Sequence, residues 1–295
     1  MPTRQLPGWQ ERSCIETDMT LLVTSATGAN GAGYGKILAF ADDGKPIGVF
    51  GDDPHIADPR GLGIDRVDKL LFVNSGSNRI LALDRNGVVV RASRTVDGLN
   101  PGGGNFGPDG RYYVGLRGER TIMAFTRELN SAGEFVLPRH VVPFPRGFAF
   151  GPDGTLFLAS GVGPRGEGDN TILAFDSDRR MLPSWKVRDP ELSPLDLAIA
   201  PNGNIVVSSE HPFGAVNAVT TIREYGHADG RLVRVLVPTR GVRFQKPRGL
   251  RFGKHARLYC VGQDEVVAFD VETGDCLGTV ARLPGLNGQA VIFFP

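Results

Sequence analysis

Three arginines share one short context: Arg60 between Pro59 and Gly61, Arg146 between Pro145 and Gly147, and Arg248 between Pro247 and Gly249. Guanidinium groups brought to one place match the geometry of a carboxylate or phosphate, so the trio is a candidate clasp for an anionic ligand. The competing expectation pairs them with carboxylates such as Asp52, Asp58, Asp189 or Glu191. Superposing the same context along the chain aligns Gly102, Leu195 and Asn287 with these arginines. The next position then reads Gly61, Gly103, Gly147, Asp196, Gly249 and Gly288, so a carboxylate interrupts a recurrent glycine once. Downstream of it, Ser208 and Ser209 lead into Glu210 and His211. Two carboxylates and an imidazole can supply a general acid and a base, or ligands for a metal. The plainer reading pairs Asp196 with Arg146 and leaves Glu210 and His211 as ordinary loop residues. His55 and Asn287 are further ligand-binding candidates, whereas His140, His227 and His255 read as solvated or structural.

The elements that must position these residues follow from a cassette that returns five times, starting at Pro59, Pro101, Pro145, Pro194 and Pro247. Each copy has an apolar run, a turn of the Pro-Asp-Gly or Asn-Gly kind, a second apolar run, then a segment like Ile80–Leu83. Repeats of roughly 40 to 50 residues made of strand-length segments indicate a β-propeller with one blade per repeat. In the copy that begins at Pro59, strands are predicted over 61–64, 70–74, 79–84 and 88–92. A sixth blade is split between the chain ends: strands near 20–25, 36–40 and 47–50 lack an inner strand, and the segment from Leu286 to Ile292 reads as that strand. The expected fold is all-β, a six-bladed propeller of four-stranded antiparallel blades closed by pairing the C-terminal strand with the N-terminal blade. The expected boundaries are an extension over 1–17 and a propeller over 18–295, with blades over 18–50 plus 286–295, 59–94, 101–137, 145–187, 194–237 and 247–281. Antiparallel pairing sets Asp196 opposite Ser208. The longer connections, 26–35, 51–59, 161–170, 210–220 and 238–246, gather on one face, which is where a rigid scaffold usually carries its site.

Composition narrows the function classes. A formal charge of +1 argues against nucleic acid as a partner. Cys14, Cys260 and Cys276 lack metal or redox spacing, and an odd count argues against a disulfide framework. No run approaches the roughly 18 apolar residues of a membrane helix, and the first residues lack the apolar stretch of a signal peptide. The expectation is a soluble, cytoplasmic protein without a membrane partner. Gly161, Gly163 and Gly166 match a dinucleotide fingerprint only as letters, because a strand rather than a helix follows them, so no nucleotide cofactor is expected.

Pro59–Asp65, Leu71–Asn74 and Asn78–Leu83 resemble the NHL repeat. The resemblance covers nearly all of the chain past Asp18, and it relates the sequence to the gluconolactonase/senescence-marker group of propellers. It implies a small-molecule hydrolase or lyase acting on an anionic or polyhydroxylated substrate at the channel mouth. Asp196, Glu210 or His211 would carry protons, and Arg60, Arg146, Arg248, His55 and Asn287 would hold the substrate. The alternative is a non-catalytic scaffold that docks a ligand or protein. The lactonase resemblance also implies a divalent metal (Ca, Zn or Mn) on Glu, Asn and Asp ligands. Only the segment around Asp196 matches; Arg146 stands where the Asn is expected, and Glu16 to Asp18 is a poor counterpart of the Glu segment. Metal-dependent and metal-free chemistry both stay open.

Overall fold

The computed structural model describes residues 19–27, 33–95, 99–116, 119–138, 140–142, 144–162, 166 and 169–295. The extension over 1–17, Cys14, the 16–18 segment and Gly163 lie outside the described residues. The rest forms six four-stranded antiparallel sheets, the blades of a propeller. In ring order from the blade that holds both chain ends, the inner strands are Gly288–Phe294, Gly61–Asp65, Pro101–Phe106, Pro145–Phe150, Pro194–Ile199 and Leu250–Phe252. The sole helical turn among the described residues is a 3-10 turn at Lys254–Ala256, and no helix is long and apolar enough to cross a membrane.

The strands form where apolar residues run between tight turns. In blade two they span Gly61–Asp65, Leu70–Ser75, Arg79–Leu83 and Val89–Ala92, within a residue or so of expectation. Both faces of each middle strand are apolar because each blade packs on two neighbours. Leu71 and Val73 face one neighbour, while Phe72 faces the other. Six buried clusters result, one between each pair of successive blades.

Ring closure follows the expected route. Gly288–Phe294 pairs with Thr20–Ser25, with Leu22 opposite Ile292 and Thr24 opposite Ala290. Ala290, Ile292 and Phe294 enter the core shared with blade two, and Val291 and Phe293 enter the core shared with blade six. One seven-residue strand therefore completes two of the six interfaces.

The recurrent glycine has a steric reason that is clearest at Gly147. A Cβ there would stand 2.5 Å from the Cα of Asp196, on the inner strand of the next blade. Inner strands converge on the axis, and a Cβ at Gly61 or Gly249 would likewise meet the next inner strand, at Gly102 O and Gln289 O, whereas Gly103 faces open space. Asp196 sits at the same register but sends its carboxylate onto the following blade, as described next.

Candidate functional site

The starts of the inner strands of all six blades surround a cavity of about 770 Å3 at the channel mouth, on the face of the longer connections. That volume suits a small organic molecule. Arg60, Arg146, Arg248 and Asp196 all line it, and so does Arg251, a residue that the sequence reading did not single out.

Each cation in the lining has a different partner. Arg60 is tied to Asp58 two residues earlier in the chain, one of the carboxylates expected as a partner. Arg248 Nη1 lies 3.6 Å from Glu210 Oε2 and donates to the Pro247 carbonyl at 2.8 Å. Arg251 Nη1 donates to Asp196 Oδ2 at 2.9 Å and to the Leu250 carbonyl at 2.6 Å. Its Nη2 reaches Gly104 O of blade three at 3.2 Å, so this side chain bridges the channel beneath the cavity. Asp189 and Glu191, also expected as partners, are instead engaged by Arg223 at 2.6 and 2.9 Å.

Arg146 is the exception. Among the described residues its guanidinium has no carboxylate within ion-pair distance, and its Nε is buried without a hydrogen-bond partner. The ring of Phe213 covers it at 4.2 Å and that of Phe144 lies at 5.1 Å. Its head rests against bare backbone at Gly161, where a Cβ would stand 2.3 Å from Nε. The Gly161 N–H donates to the Phe144 carbonyl at 2.9 Å, which fixes that surface. Burial, and secondarily the nearby Arg248 charge, push the Arg146 pKa down to about 10, so it keeps its charge at neutral pH. Burial also lowers Arg248, against the opposing pull of Glu210. Glu210 acts on Arg146 from beyond contact distance, and a buried cation with no carboxylate in contact is costly unless an anion completes it.

Asp196 is anchored on one oxygen. Oδ2 accepts from Arg251 and, at 3.3 Å, from the Leu250 N–H; Oδ1 lies beside Gly147. Its own N–H donates to Ser208 Oγ at 3.1 Å, and Ser208 Oγ donates to the Arg248 carbonyl at 2.8 Å. The expected proximity of Asp196 and Ser208 is thus realised, but the carboxylate pairs with Arg251 rather than Arg146. Truncation by Asp196→Ala removes the counter-charge of a mostly buried guanidinium. We expect a loss of roughly 1–3 kcal/mol, discounted for partial exposure, in denaturant unfolding, with Asp196→Asn milder.

The remaining candidates do not line the cavity. Glu210 is 4% exposed, behind Arg248. His211 ends the adjacent strand with Nδ1 buried and unpartnered among the described residues. His55 is held by Asp53 at 2.9 Å in an exposed crossover. Asn287 adopts a left-handed backbone (φ 45°), and its Nδ2 donates to Ala26 O at 2.8 Å, tying the closing strand to the first blade.

The implied metal does not fit this donor set. Among the described residues no three His, Cys, Asp or Glu side chains gather into a shell, and Asp196 is the one carboxylate of the lining, surrounded by guanidinium groups. A divalent cation there would meet like charge at close range.

No protein-family model matches the chain, and no curated protein matches it in sequence. Solved structures do resemble it. A propeller in a nidogen/laminin complex superposes with a TM-score of 0.69 at 17% identity, covering 94% of this chain and 98% of that one. A gluconolactonase from Xanthomonas campestris gives 0.58 at 16% identity, covering 93% and 90%. A streptogramin B lyase gives 0.57 at 14% identity, covering 92% and 76%. The chain is a six-bladed β-propeller. At these identities the likeness concerns the fold, which hosts catalytic and binding proteins alike.

Proposed function

We propose that this protein is a hydrolase or lyase that binds a small organic anion in the channel-mouth cavity. The observation that carries this reading is Arg146, a cation of the cavity lining packed against the rings of Phe213 and Phe144 with no carboxylate partner among the described residues. Arg146 docks the anionic group, and Arg248 adds positive potential where negative charge develops. Asp196 is the proton carrier, with Arg251 holding Oδ2 and Oδ1 lying beside Gly147 of the cavity lining. The gluconolactonase and the streptogramin B lyase lend support in that the same fold serves hydrolytic and eliminative enzymes.

A panel of small lactones, esters and elimination-prone carboxylates, followed by mass spectrometry, tests the reading. Turnover of at least one member is expected, with Asp196→Asn slower by roughly a hundredfold or more; undiminished turnover removes Asp196 from the chemistry. Because guanidinium groups surround Asp196, chelator treatment is expected to leave Arg146-dependent ligand binding unchanged. A chelator-sensitive affinity contradicts the charge argument.

One observation favours the scaffold alternative: Phe213, Val216 and Val219, beside the cavity, are exposed apolar residues. A peptide or protein ligand would then lose affinity on Val216→Ser, a change that a cavity-bound small anion would not register.

A further inference from the structure

The charge and polarity of the cavity lining identify the kind of anion. Arg60 is matched by Asp58, Arg248 by Glu210 and Arg251 by Asp196. Arg146 is left as the one cation of the lining without a carboxylate partner among the described residues. A single negative charge completes this arrangement. A second would have to displace Asp58, Asp196 or Glu210 from its arginine, and separating such a sheltered pair is costly.

The uncharged surface is equally restrictive. Asn100, Thr121 and Gln289 are the neutral polar side chains of the lining, and Gln289 already donates to the Asn287 carbonyl at 3.0 Å. A polyhydroxylated ligand needs many more donors and acceptors, since each buried hydroxyl left unpaired costs affinity. Apolar side chains supply most of the remainder: Leu116, Ile122, Phe148, Leu195 and the half-exposed Phe213. Phe213 covers a face of the Arg146 guanidinium and Gly161 backs its Nε, so a planar carboxylate approaches the terminal Nη groups with its apolar body beside that ring.

We propose that the ligand is a monocarboxylate carrying an apolar group, its carboxylate on Arg146 and its apolar part against Phe213 and the facing wall of blade three. This rests on reading the cavity as an anion site. It also makes Gly161 a positioning residue: a methyl group there occupies the place of Nε and pushes the guanidinium off its seat, meeting only the flexible end of a side chain.

Calorimetric titration of the full chain with phenylacetate, acetate, phenylacetamide, phenylmalonate and gluconate tests it, alongside Arg146→Met, Gly161→Ala and Phe213→Ala. Phenylacetate is expected to bind at millimolar or lower concentration, at least about tenfold tighter than the neutral amide or gluconate. The dianion phenylmalonate is expected to gain nothing from its second charge. Gly161→Ala should weaken phenylacetate about tenfold with an unchanged melting temperature, and Phe213→Ala should weaken it while leaving acetate unaffected. Tighter binding of phenylmalonate or gluconate that still requires Arg146 overturns the monocarboxylate assignment and leaves the anion site standing. Binding that survives Arg146→Met, or no binding of any probe, overturns both.

Discussion

Arg146→Met is expected to weaken carboxylate binding by at least about thirtyfold while leaving the protein as stable as before, or slightly more so. The two halves of this result have one cause. Charge-assisted hydrogen bonds to a buried anion account for roughly 2 kcal/mol or more, which sets the affinity loss. In the unliganded protein the same guanidinium makes no ion pair among the described residues, and its Nε is buried and unpartnered. Methionine keeps an apolar, flexible side chain at this position and removes the desolvated charge that lies against Phe213 and Phe144. A structural arginine behaves in the opposite way: its removal costs stability and leaves ligand affinity alone. Arg146→Lys separates charge from shape, because a lysine keeps the charge but cannot present a planar fork, so its affinity should fall between the two. Titration calorimetry and thermal melting on the same preparations read both halves.

Removal of residues 286–295 is expected to abolish the folded ring. The deleted strand buries Val291, Ile292, Phe293 and Phe294 in two inter-blade cores. At roughly 1.5–3 kcal/mol for each large apolar side chain, the loss is about 6–12 kcal/mol, comparable with the whole stability of a typical domain of about 5–15 kcal/mol. The truncation also exposes one edge of Thr20–Ser25, an apolar strand that would then template aggregation. Loss of a cooperative melt and appearance in the insoluble fraction are the expected readouts. A soluble, cooperatively melting truncated chain would contradict the closure.

The fold was legible because local chemistry repeats. Apolar runs of strand length, Asn-Gly and Pro-Asp-Gly turns, and a glycine near the start of most inner strands all recur at one period, and each copy supports the others. The site was legible only where it breaks that pattern. Asp196 replaces a glycine, and Arg60, Arg146 and Arg248 occupy a register that tolerates any side chain, so all four drew attention and all four line the cavity. Arg251 carried a comparable signal three residues beyond Arg248, where the other copies have Gly63, Asn105, Ala149, Ala198 and Ala290. A charge at an inner-strand register that elsewhere holds small or neutral residues marks a side chain that must cross the ring.

Apart from Arg60 with Asp58, partnerships were not legible, because they depend on which blade each side chain leans toward. Asp196 turns forward to blade six rather than back to Arg146, since Gly147 gives it room at the backbone but no donor there. Glu210 reads in sequence as a loop carboxylate, yet its strand extends far enough to place it behind Arg248. His55 and Asn287 were proposed from their register or loop; Asp53 holds the first in an exposed crossover, and the second ties the closing strand to blade one.

The most direct test of the Arg146-centred cavity is a crystal structure of the wild-type protein soaked with 4-bromophenylacetate, with the bromine located by anomalous scattering. A single strong peak is expected inside the channel-mouth cavity near Phe213, with the carboxylate oxygens about 3 Å from the Arg146 guanidinium. A bromine peak elsewhere, or a carboxylate seated on Arg60 or Arg248 with Arg146 bare, would contradict it.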